Sequence, residues 1–417
     1  YEITTRLVGS EMCIRDRTTR YLLGLFDGSE YDKIPYSVVE CKEHIDEALK
    51  MARKSCVLLK NDGVLPIDKT KVNTIGVIGP NADSRAALIG NYHGTSSEYI
   101  TVLEGIREEA GDDVRILYSQ GCDLYKDKVE NLAWDQDRIS EAVITAENSD
   151  VVILCVGLDE TLEGEEGDTG NSDASGDKVD LHLPKVQEEL IEKVTAVGKP
   201  TIVVLMAGSA IDLNYAQDNC NGILLAWYPG ARGGRAIADL LFGKESPSGK
   251  LPITFYKDLE GMPEFTDYSM KNRTYRYMEK EALYPFGYGL TYSDTCVTEA
   301  EVVGEVSAES DIMLKATVKN NGTVDTDEVV QVYIKDLDSP LAVRNYSLCG
   351  FKRVSLKAGE EKSVEFTISN KAMNIVDEDG NRYIAGKHFR LFAGVSQPDT
   401  RSAELTGHKP AEVEIAL

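Results

Sequence analysis

Four stretches of this sequence are apolar at nearly every position: "TIGVIGP" at 74–80, "VVILCVG" at 151–157, "PTIVVLMAG" at 200–208 and "NGILLAWYPG" at 221–230. A strand with one wet face alternates apolar and polar residues, whereas a strand covered on both faces is apolar throughout. "VRILYSQG" at 114–121 adds another strand. The intervening segments have helical character: "DSRAALIGNY" as a short helix or turn, "DRISEAVITAENSD" at 137–150, "PKVQEELIEKVTAVG" at 184–198, and "GRAIADLLFG" ending at Gly243. Pro184 falls near a first turn, where a missing N–H is tolerated, and Gly243 suits a helix end. Doubly buried strands alternating with helices specify an α/β sandwich around a mostly parallel sheet. Ligands of such sheets lie beyond the carboxyl ends of the strands. The loops after Gly79, Gly157, Gly208 and Trp227 are therefore the ones placed to do chemistry.

One of these loops is acidic. In "CVGLDETLEGEEGD", residues 155–168, the carboxylates Asp159, Glu160, Glu163, Glu165, Glu166 and Asp168 follow directly on an apolar strand. Carboxylates crowded together repel one another, which favours the protonated form of some of them, more so with partial desolvation. A carboxylic acid still protonated near neutral pH is what general-acid cleavage of a glycosidic bond needs. On the residues alone, a hydrated surface loop and a cation site remain open beside that reading. The EF-hand pattern does not fit "DTGNSDASGDKVD", which lacks a glycine and a terminal glutamate at the required offsets.

Other chemistries find less support. "GVIGPNAD" is not GxGxxG, and no acidic residue stands in the ribose position, so a dinucleotide site is not expected. His93 in "GNYHGT" and His182 in "DLHLP" are isolated, with His93 placed to line a pocket and His182 to pack against the sheet. No G-x-S-x-G elbow is present. A net charge of −25 argues against nucleic acid and anionic membrane surfaces, which need clustered Lys and Arg, and is compatible with a neutral sugar. The eight cysteines are scattered singly, with no CxxC pair and no Cys/His metal spacing, so neither a metal nor a cofactor is expected. Single cysteines also favour a reducing compartment, cytoplasmic rather than secreted. No apolar run reaches the ~18 residues of a transmembrane helix.

The flanks read differently. "EMCIRDR" within residues 1–17 resembles a translated sequencing-adapter read-through, so this segment is expected to be non-native and carries no fold argument. Residues 43–60, "EHIDEALKMARKSCVLLK", keep near-helical apolar spacing at Ile45, Ala48, Leu49, Ala52 and Cys56, before a turn at Asn61-Asp62-Gly63. After Tyr256 the chain becomes a loop-rich, aromatic connector over 257–295. From 296 to 417 it is all-β: "DIMLKATVKNNGTVDTDEVVQVYIKD" alternates with period 2 around the turn Asn320-Asn321-Gly322. A sandwich of immunoglobulin or fibronectin type fits that length.

Several stretches, in order, are similar to the C-terminal half of glycoside hydrolase family 3, the β-glucosidases and β-xylosidases. They are "KSCVLLKNDGVLPI", "IGVIGPNAD", "GNYHGTSSEYITVLEGI", "VGLDETLEGEEGD", "LHLPKVQEELI", "WYPGARGGRAIADLLFGKESPSGKLPITF", "YPFGYGLTY" and "GFKRVSLKAGE". The resemblance implies an α/β sandwich domain over 71–256 and a fibronectin III-like sandwich over 296–417. It further implies an N-terminal (β/α)8 barrel carrying an aspartate nucleophile. A barrel needs roughly 200–250 residues, more than precede Gly76, so the barrel is expected to be missing and 18–70 to hold its end plus a linker. The family's acid/base glutamate lies in the loop after the "VVILCVG"-like strand. Counting from Gly157 places it at Glu163, with Glu165 the close competitor. The loop departs from the family where Asp168-Thr169 replaces a frequent Asp-Arg and "GNSDASGDK" follows. The substrate implied is a β-linked oligosaccharide or an aryl or alkyl glycoside, with Tyr92 and His93 on the leaving-group side by position. This chain alone is expected to be inactive. A non-catalytic carbohydrate-binding or adhesion protein is the alternative.

Overall fold

The computed structural model describes residues 2–126, 134, 136–165 and 178–417, with side chains from residue 12 onward. The chain divides into two units, Tyr1–Glu47 and Ala48–Leu417. The first holds the helix Glu2–Leu22 and short 3-10 turns at Glu30–Lys33 and Tyr36–Val38, and none of its described residues is buried. The helix Lys42–Ser55 begins in it and continues into the second unit.

The second unit opens with a six-stranded sheet. Its strands are β1 (Val57–Asn61), β2 (Thr74–Ile78), β3 (Arg115–Ser119), β4 (Val151–Gly157), β5 (Thr201–Met206) and β6 (Gly222–Leu225), in the order β1-β6-β5-β4-β2-β3. Strands β2 to β6 run parallel, and β1 closes the edge antiparallel to β6. Every residue of β4, β5 and β6 is buried. Alternation along β4 feeds two cores. Val152, Leu154 and Val156 join Ala142, Ala146, Leu190 and Val194 from the helices Asp137–Glu147 and Lys185–Thr195. Val151, Ile153 and Cys155 join Leu103, Ile106, Ile237 and Leu240 from the helices Val102–Ala110 and Gly233–Leu241. Each such aliphatic side chain is worth ~1.5–3 kcal/mol when fully buried, so both faces must be covered.

Three sequence expectations need correction. The helical spacing over 43–60 ends at Ser55, and Val57–Asn61 is instead the edge strand β1. The helix Val102–Ala110 was not anticipated, although Thr101 and Glu104 form a capping box that "TVLE" spells out. The turn at Asn320-Asn321-Gly322 does not close a hairpin, because the strands it joins lie in different sheets.

Those strands belong to the β-sandwich. One sheet holds β7 (Thr295–Val303), β8 (Ile312–Asn320) and β11 (Glu361–Ile368). The other holds β9 (Thr326–Asp336), β10 (Ser347–Leu356), β14 (His388–Gly394) and β15 (Ala411–Ala416), while β12 (Ile375–Val376) pairs only with β13 (Arg382–Tyr383). Leu314, Val318, Val330, Val332, Phe366 and Phe389 fill the space between the sheets. The "PSGKLP" stretch and the "YPFGYG" turn fasten this sandwich to the α/β part. Lys250 Nζ lies 2.8 Å from Glu328 Oε1, Arg353 donates to Ser248 at 2.5 Å, and Gln331 donates to the Gly287 carbonyl at 2.8 Å.

Candidate active site

The acidic loop is built outward from Gly157, the last residue of β4. Its φ is 145°, and a side-chain carbon there would sit 1.9 Å from the Met206 carbonyl oxygen, so only glycine fits. Gln187, fully buried on the neighbouring helix, clamps that residue from the side. Its Oε1 accepts the Gly157 N–H at 2.8 Å and its Nε2 donates to the Gly157 carbonyl at 2.8 Å. Leu158 N–H then reaches the Met206 carbonyl at 2.7 Å, and Asn81 holds the Leu158 carbonyl at 3.0 Å.

One turn follows. Asp159 Oδ1 accepts the Thr161 N–H at 2.8 Å and its hydroxyl at 2.6 Å, while the Asp159 carbonyl accepts the N–H groups of Leu162 and Glu163 at 3.1 and 2.9 Å. Buried Leu162 anchors the turn, and the next residue, Glu163, emerges half-buried over the end of the sheet. Its Oε2 accepts the Gly208 N–H at 2.7 Å, just past β5, and the Tyr228 hydroxyl at 2.7 Å, just past β6. Burial, and then the negative charge of Glu163, push the Tyr228 phenol far above its ordinary range, so it stays a donor. Lys178 Nζ donates to the Ala210 carbonyl at 2.7 Å. Burial holds that ammonium below its usual range, partly opposed by the charge of Glu163.

The loops expected to matter do converge here. His93 lies at the same edge, with Nε2 3.2 Å from Glu160 Oε2 and Nδ1 3.0 Å from the Gly94 carbonyl. Tyr92 beside it is 80% exposed, with a left-handed φ of 58°. Glu165 is exposed. Glu166, Asp168 and residues 170–177 of the "GNSDASGDK" insertion lie outside the described residues, and the insertion's last residue is the Lys178 described above. His182 does not pack against the sheet. It is exposed and sits 2.8 Å from Glu188 Oε1, which raises its pKa. Gln187 and Tyr228 were not singled out from sequence, although "LHLPKVQEELI" and "WYPG" contain them.

The chain matches the family model of the glycosyl hydrolase family 3 C-terminal domain over residues 56–292, and a fibronectin type III-like domain over 328–397. It is 35% identical to a beta-xylosidase of Formosa agariphila, with 93% of this chain and 54% of that protein aligned. Against a periplasmic beta-glucosidase of Salmonella typhimurium it is 32% identical, over 90% of this chain and 52% of that one. A solved β-glucosidase structure from Erythrobacter marinus superposes with a TM-score of 0.77 at 30% identity, covering 91% of this chain and 51% of that one. The chain belongs to glycoside hydrolase family 3. It spans about half the length of the curated relatives it matches.

Proposed function

We propose that this chain carries the acid/base part of a retaining β-glycosidase that releases terminal, non-reducing β-linked xylose or glucose. Glu163 protonates the leaving glycosidic oxygen and then, ionised, takes a proton from the attacking water. The nucleophile is an aspartate outside this chain. Retention needs it ~5 Å from Glu163, because it must reach the anomeric carbon while the acid reaches the exocyclic oxygen.

The observation that carries this reading is the presentation of Glu163. One carboxylate of the acidic turn is fixed by two donors at the carboxyl end of the sheet, where ligands of parallel sheets bind, while its competitor Glu165 is exposed to solvent. The names of the relatives, beta-xylosidase and beta-glucosidase, support the sugar class. Tyr92 and His93 are assigned to the leaving-group side, on the rim beside Glu160.

Hydrolysis of aryl β-xylosides and β-glucosides by this chain alone, with and without chelator, tests the two-part account. No turnover is expected until a barrel domain is joined to it. Turnover by the isolated chain overturns the account, and turnover lost on chelation points instead to a cation held by the acidic loop.

A further inference from the structure

We propose that Tyr228 is the positioning residue of the acid/base: its phenol holds Oε2 of Glu163, so that Oε1 is the oxygen that exchanges a proton with substrate and water. The inference rests on the assignment of Glu163 above. Its first support is lone-pair geometry. A carboxylate oxygen accepts in two directions. Both directions on Oε2 are taken, by the Gly208 N–H and the Tyr228 hydroxyl, each at 2.7 Å, while Oε1 accepts no hydrogen bond from any described residue. In the acid form the proton therefore sits on Oε1, the open oxygen.

The second support is the slot that holds the ring. A side-chain carbon at Gly90 would lie 2.6 Å from Tyr228 Cδ2, and one at Gly208 would lie 3.0 Å from Cε2. Two loops thus give up side chains to seat one aromatic ring against one carboxylate. The third support is chemical. Tyr228 is a neutral donor whose proton is secured by burial and by the adjacent negative charge. It orients Glu163 without adding a cation that would lock the carboxylate in its ionised form.

The Gly208 amide proton reports this arrangement in the isolated chain. Bonded to a carboxylate, it should resonate downfield and move as pH falls and Glu163 takes up a proton. Glu163→Gln should remove that pH response, and a response that survives it overturns the geometry. Tyr228→Phe keeps the ring in its slot and removes only the oxygen. It is expected to abolish both the downfield position and the pH response of Gly208. An unchanged Gly208 signal in Tyr228→Phe means that the phenol merely packs, and overturns the proposal.

Kinetics in the longer enzyme separate this from the assignment beneath it. Tyr228→Phe should lower kcat/KM for alkyl β-glycosides by ~10-fold or more through misplacement of the acid. For dinitrophenyl glycosides, whose leaving group needs no proton, kcat/KM should be nearly unchanged. Loss on alkyl glycosides with Glu163→Gln but none with Tyr228→Phe sinks the positioning role and leaves the acid/base role standing. No loss with Glu163→Gln sinks the acid/base assignment itself, whatever the Gly208 signal does.

Discussion

Two carboxylates in the same folded unit, Glu163 and Glu328, have opposite surroundings. Glu328 is 1% exposed at the join between the α/β part and the β-sandwich. Its oxygens face Lys250 Nζ at 2.8 Å, the Thr295 hydroxyl at 2.5 Å and the Val329 N–H at 2.6 Å. Glu163 is half-buried at the carboxyl end of the sheet and is held by an amide and a phenol, both neutral. The nearby ammonium of Lys178 spends a hydrogen bond on the Ala210 carbonyl. A carboxylate sealed against a cation is a fastener, since its charge must persist for the pair to be tolerated. A carboxylate oriented by neutral donors and open on one side can gain and lose a proton while keeping its place. The proposed acid/base and the fastener are thus the same residue type in different surroundings.

The sharpest way to break this contrast is to remove each charge in turn. Under the proposed function, Glu163→Gln in this chain joined to a barrel domain should lower kcat/KM for alkyl β-glycosides by ~10²–10⁴-fold, with far less loss on activated aryl glycosides. Its thermal unfolding should stay close to that of the parent, because the amide oxygen of the substituted side chain can still accept from Gly208 and Tyr228. A Glu163→Gln protein that loses stability and keeps activity would reverse the roles of the two carboxylates.

Lys250→Met is the opposite experiment. It leaves Glu328 buried without its cation and should cost ~3–5 kcal/mol in denaturant unfolding, with the β-sandwich loosened from "PSGKLP". Adding Glu328→Leu should recover much of that loss, since an apolar pair of similar size needs no charge compensation. If Lys250→Met alone is harmless, the join is not fastened by this pair.

Between these extremes stands Gln187→Leu, which keeps the side-chain volume but strips the clamp from Gly157. The buried N–H of Gly157 then loses its acceptor, at ~1–3 kcal/mol. Because the clamp lies at the root of the acidic turn, kcat should fall along with stability. A stability loss with kcat untouched would show that the turn holds Glu163 without it.

How much of this was legible beforehand follows from where each partner lies in the chain. The sheet was plain from "VVILCVG" and its companions, because covering both faces of a strand is a local demand on every residue in it. The acidic turn could be placed at the carboxyl end of β4 for the same reason. Val57–Asn61 was misjudged because Cys56 continues the helical spacing, whereas β1 is fixed by Gly222–Leu225, some 160 residues on. Period-2 alternation around Asn321 told which side chains face inward but not which sheet each strand would join. Tyr228 and Gln187 were hidden because their partners, a carboxylate 65 residues back and a backbone group 30 residues back, leave no spacing signal. The capping box at Thr101 was local and could have been found.

The smallest expected effect concerns a third acidic side chain, Glu188, which is paired with His182 in the open. Glu188 Oε1 lies 2.8 Å from His182 Nδ1, and this bond, more than the partial burial that opposes it, raises the histidine pKa above its ordinary value. A histidine whose folded pKa is raised stabilises the fold fully below its unfolded value of ~6.5, and that contribution disappears as pH rises through the folded value. His182→Ala should therefore lower Tm slightly near pH 5.5 and leave it unchanged near pH 9. The shift should shrink in high salt, because the His182 side chain is 56% exposed and its pairing is screened. A Tm difference that is the same at both pH values would mean the ring matters by packing alone. Exposure would then weaken a charged contact beyond detection, and the contrast between Glu163 and Glu328 would rest on burial as much as on the identity of the partner.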